Sequence, residues 1–78
     1  MTNYLDSKLT RMMFIEQLHK CERNFRHLNQ SEAGFVVDMK ANLLARADAK
    51  SLGLPDDKLW NPTVKQINYL RAISERYS

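Results

Sequence analysis

Two glycines, two prolines and one cysteine are all that these 78 residues hold of the types that bend, stop or cross-link a chain. Each scarcity excludes something. With a single cysteine, Cys21, no internal disulfide framework can form, and a reducing compartment is the expectation. Gly34 and Gly53 stand far apart, so no glycine-rich loop can cradle a phosphate, and no P-loop lysine accompanies them. No apolar run approaches the ~20 residues of a membrane span. The opening Met1 to Thr10 lacks the basic, apolar and small-residue order of a signal peptide. The expectation is a single helical domain over 1–78 that stays in the cytoplasm, binds no membrane and takes no small-molecule substrate.

Strand signals are missing as well. No segment alternates apolar and polar residues, whereas helical spacing recurs three times. Phe14, Leu18, Cys21, Phe25 and Leu28 follow one another at steps of four, three, four and three. Asp6 or Ser7 suits the start of that block. Leu5, Leu9 and Met12 point away from its seam at 100° per residue. Three readings fit them: a bend near Thr10, first turns clasped on a second side, or a separate short helix over 4–12.

A second block opens at Asn29, with Glu32 at capping-box spacing and Ser31 as the competing cap. Its stripe is Phe35, Val36, Met39, Leu43 and Ala47, widened by Val37 and Leu44. Lys50 suits its negative end, and Gly53 with Pro55 behind it reads as a glycine cap and a stop. The stretch "PDDKLW" is a loop or one helical turn, with Leu59 and Trp60 turned inward. Trp60 reads as an anchor plugging the bundle end, with a recognition residue as the alternative.

The third block runs from "NPTVKQ" onward. Thr63 serves as cap with Gln66 reaching back, or Asn61 does with Pro62 at the first helical position. Val64, Ile67, Leu70, Ile73 and Tyr77 form the side to be buried. The fold class is therefore all-α, a small bundle of three main helices with room for a short fourth.

Catalysis finds no residues to carry it. His19 and Cys21 are two apart on one helix, on different sides, so they cannot pair as base and nucleophile. His19, Cys21, Glu22 and His27 reproduce no zinc-ligand spacing. Asp56 and Asp57 read as solvated loop carboxylates. A non-catalytic protein without metal or cofactor is expected.

Binding is better served. The net charge is +3 and the pI about 9.2. Residues 1–28 carry five Lys/Arg against three acids and residues 62–78 three against one, while 29–61 carry four against five. Basic ends suit a polyanionic partner. On the first helix, the face opposite the seam gathers His19, Lys20, Arg23, Arg26 and His27, interrupted by Glu16. On the last, Lys65, Tyr69 and Arg76 share one side. A basic stripe holding an aromatic is what phosphate neutralisation and base stacking require. Lys20, Arg23, Arg26, Lys65, Tyr69 and Arg76 are the candidate nucleic-acid contacts, joined into one surface if the terminal helices lie side by side.

Ser31-Glu-Ala-x-Phe-Val36, then Met39 and Leu43, then Trp60-Asn-Pro-Thr-x-x-Gln-x-x-Tyr-Leu-x-x-Ile73 compose a pattern covering roughly residues 31–77. It resembles the small helical companion proteins of the UvsW recombination and repair helicase of T-even phages. That resemblance implies a helical bundle with nucleic-acid-binding character that acts beside a helicase in phage recombination, repair and replication; single-stranded or branched DNA is the partner expected. It carries over no catalytic residue and no DNA-contacting position. The alternative is a phage protein-interaction module, an adaptor or inhibitor of a host or phage enzyme, that binds no DNA.

Overall fold

The computed structural model describes residues 4–77, and among them there are helices and turns but no strand. Helix α1 covers Lys8–Arg23, α2 covers Gln30–Ser51 and α3 covers Val64–Glu75. The room for a fourth helix is taken by three single 3-10 turns, Tyr4–Asp6, Phe25–His27 and Asp56–Lys58. Contacts place the C-terminal end of α3 beside the N-terminal end of α2. Arg76 meets Glu32 there, and the rings of His27 and Tyr77 lie 6.5 Å apart. The path is thus up, down, up, with α1 and α3 packed alongside each other.

Both capping boxes form. The Asn29 side chain accepts from the Glu32 amide at 2.8 Å while Glu32 accepts from the Asn29 amide at 3.1 Å, so Asn29 rather than Ser31 starts α2. Thr63 and Gln66 exchange the same pair of bonds at 3.1 and 2.9 Å, which settles the phase of α3. Each box satisfies two amides that no helical carbonyl can reach. Asn61, the competing cap, instead accepts from the Leu5 amide at 3.1 Å and ties the N-terminal turn to the last loop. Helix α2 ends as its sequence requires. Gly53 adopts φ 88°, its amide donates to Lys50, and the Leu54 amide donates to Ala49. This double closure needs a left-handed residue, a conformation that side chains disfavour.

Leu5, Phe14, Leu18, Cys21, Val36, Met39, Leu70 and Ile73 form the core, with Leu28, Phe35, Leu43, Trp60 and Tyr77 packed against it. Several expected core residues lie elsewhere. The first helix stops at Arg23 because the Asn24 side chain and amide both bond back to Lys20, closing the last turn. Phe25 therefore leaves the seam and is 43% exposed. At the other end the chain bends at Ser7, earlier than Thr10, and the Thr10 hydroxyl donates to the carbonyl of Tyr4. This bend buries Leu5 completely and leaves Leu9 and Met12 outside. Ser7 occupies the cap position of α1 without a side-chain bond. Val37, Leu44 and Val64 are exposed, as is Ala47.

Candidate nucleic-acid interface

Cations expected to converge fall into separate places once the helices are packed. Lys65, Tyr69 and Arg76 lie on the flank of α3 that faces α2. Tyr69 packs on Phe35 of α2, ring centroids 4.6 Å apart at 57°, and together with Lys65 and Gln66 they line an open hollow. Two turns further along, the Arg76 guanidinium pairs with the Glu32 carboxylate and sits 5.7 Å over the Tyr77 ring. Glu32 is only 8% exposed, so its charge calls for this partner. Much of the Arg76 charge is thereby committed to Glu32, although half of its side chain stays exposed.

Lys20 lies on the opposite flank of α3. It lines the α1–α3 groove with Met13, Glu16, Gln17, Arg71, Ser74 and Glu75, where two carboxylates balance two cations. Arg23 stands exposed in the last turn of α1 and Arg26 exposed in the turn after it. These two and Arg76 share one end of the bundle, because the His27–Tyr77 contact brings that turn to the end of α3. The terminal helices do pack side by side, with Lys20 and the Lys65–Tyr69 pair on opposite flanks of α3 and with Arg23, Arg26 and Arg76 gathered at one end of the bundle.

An aromatic wall forms beside a lysine. Phe35 was legible only as a core residue of α2, and its pairing with Tyr69 depends on a crossing that no periodicity encodes. Tyr69 remains 40% exposed. Phe35 holds its ring, so little orientational freedom is left to lose when a flat ligand stacks on it. Lys65 is exposed one helical turn before Tyr69, at the spacing where side chains share a face. An ammonium and a braced aromatic one turn apart fit a phosphate and its base.

Cys21 is fully buried, and burial holds its thiol pKa above the ordinary value of 9.0, opposed by the Arg76 charge and reinforced by the Glu32 and Glu22 carboxylates. Such a thiol is a packing group and a poor nucleophile. Among the described residues no cluster of His, Cys, Asp and Glu is arranged to hold a metal ion, and no helix is long and apolar enough to cross a membrane.

No family model, curated protein or solved structure matches the chain, so none of them identifies it as a companion of a UvsW helicase.

Proposed function

We propose that the chain is a small, non-catalytic nucleic-acid-binding accessory protein whose contact surface is the α2–α3 flank. The Phe35–Tyr69 wall next to Lys65 carries this reading. Stacking on an aromatic is tolerant of base identity, and a neighbouring lysine neutralises the backbone, which favours unpaired strands over duplex. Arg23 and Arg26 at the bundle end add attraction for a polyanion without adding a stacking surface. Action beside a phage helicase in recombination and repair is part of the same proposal and rests on the resemblance of residues 31–77.

Titrating labelled single-stranded, duplex and branched DNA at two salt concentrations tests it. Single-stranded and branched forms are expected to bind more tightly than duplex, with affinity falling steeply as salt rises. Absence of binding at low salt, or binding indifferent to salt, would overturn the reading.

A further inference from the structure

Helix α3 covers one side of the α1–α2 pair and leaves the other side open. Two apolar hollows lie along that open groove. Ile15, Leu43, Leu44 and Ala47 floor the lower one, and Phe25, Val36 and Val37 floor the upper. Between them Lys40 bridges to Glu22 across the groove at 2.7 Å. Val37, Leu44 and Phe25 are 54%, 56% and 43% exposed, so this side carries apolar area that the bundle itself leaves uncovered.

We infer that this groove docks an acidic amphipathic helix of a protein partner, on a surface distinct from the α2–α3 flank. Spacing is the first argument. Val37 and Leu44 are seven residues apart on one helix, about 10.5 Å at the α-helical rise. That is the distance between anchors i and i+7 of a second helix lying along the groove, so one such helix fills both hollows. Charge is the second argument. Arg11 and Lys50 border the lower hollow and Lys40 the upper, and Lys8 falls one turn before Arg11 on the same face. Lys40 and Glu22 neutralise each other, which leaves Lys8, Arg11 and Lys50 against Asp48 at the outer edge of α2. An apolar floor with a cationic rim selects an apolar stripe flanked by Glu or Asp. A second copy of this chain is disfavoured, because pairing the groove with itself duplicates the same excess of cations.

The test uses the full chain and a fluorescein-labelled 18-residue helical peptide with Leu at i, i+4 and i+7 and Glu on both flanks. Two controls accompany it, one with the Leu positions shuffled out of the stripe and one with Lys replacing Glu. Saturable binding of the acidic amphipathic peptide alone is expected. Leu44→Glu and Val37→Glu should each weaken it at least about tenfold, as for a central anchor. Both positions are exposed, and an unchanged melting temperature verifies that the variants are folded. Equal binding of the Lys peptide, or affinity unaffected by Leu44→Glu, would overturn the inference. So would displacement of the peptide by oligo-dT, which would put nucleic acid in the groove. Dimerisation in analytical ultracentrifugation that Leu44→Glu abolishes would assign the groove to a second copy and equally sink the proposal. Because Tyr69 lies on another surface, Tyr69→Ala should leave peptide binding intact. Failure of the nucleic-acid reading and failure of this one are therefore separable.

Discussion

Arg46 and Asp6 lie forty residues apart in the chain and 2.9 Å apart in the fold, guanidinium to carboxylate. The same guanidinium donates from Nε to the Trp60 carbonyl at 3.1 Å. At 4% exposure Arg46 is among the most buried polar residues described, and it clasps the N-terminal turn and the last loop onto α2. Losing the guanidinium forfeits both of these bonds, each made by a charged donor. Arg46→Met should lower stability by about 3 kcal/mol in urea denaturation, with the N-terminal turn loosened. A variant as stable as the parent would show that the clasp is ornamental.

Trp60 supports the same end from the apolar side, its ring edge-on to Phe14 at a centroid distance of 6.4 Å. Truncation to Ala should cost about 3 kcal/mol, and removing the cap at Thr63→Ala about 1. Thermal melts of the two variants give the comparison. If Trp60→Ala proved neutral, the anchor role would fall and its indole would become a candidate for recognition.

On the proposed contact surface, Tyr69→Ala should weaken single-strand binding by about 1–3 kcal/mol. Lys65→Gln should reduce the magnitude of the log–log salt slope by about 0.7, the contribution of one single-strand phosphate. Arg76→Gln should act differently, costing about 1 kcal/mol of stability by stranding Glu32 and changing the slope less than Lys65→Gln does. Anisotropy titrations across salt, paired with melts, separate the two kinds of effect. Equal slope changes for Lys65 and Arg76 would mean that the pair with Glu32 opens on binding.

The buried thiol makes stability depend on pH. Its folded pKa lies above the unfolded one, so the folded state holds its proton where the unfolded state has lost it. The contribution is fully present below the ordinary thiol value of 9.0 and is lost as pH rises through the folded value. Stability measured from pH 7 to 10 should fall at the alkaline end in the parent and fall less in Cys21→Ala. Ellman's reagent should react with the parent only as fast as the core opens.

Local chemistry was readable from residues, while tertiary placement was not. Gly53 announced its cap, and Asn29 and Thr63 were each one of two candidates, because a cap is decided within four or five positions. Ile67, Leu70 and Ile73 likewise follow from spacing along one helix. Phe25 was misplaced because its periodicity continues past Asn24, where a side-chain bond to Lys20 closes the helix. The buried Arg46 and Glu32 were invisible in the same way, since long polar side chains enter a core only when partners far away in sequence receive them. Of the six candidate contacts, Lys65 and Tyr69 share a hollow, but their neighbour Phe35 depends on how α2 crosses α3. Lys20 was assigned to a basic stripe for lack of any sign that Arg71 and Glu75 would face it.

Helix α2, 22 residues and about 33 Å long, nearly matches the 37 Å length of the molecule, but α3 with 12 residues reaches only about 18 Å. Val36 and Met39 therefore sit in the apolar core, while the later turns of α2 are held chiefly through Leu43 and the single guanidinium of Arg46. One continuous helix thus has two regimes of opening. Amide hydrogen exchange should be slowest around residues 36–40 and accelerate toward Gly53, with Arg46→Met steepening that gradient and leaving the slow end unchanged.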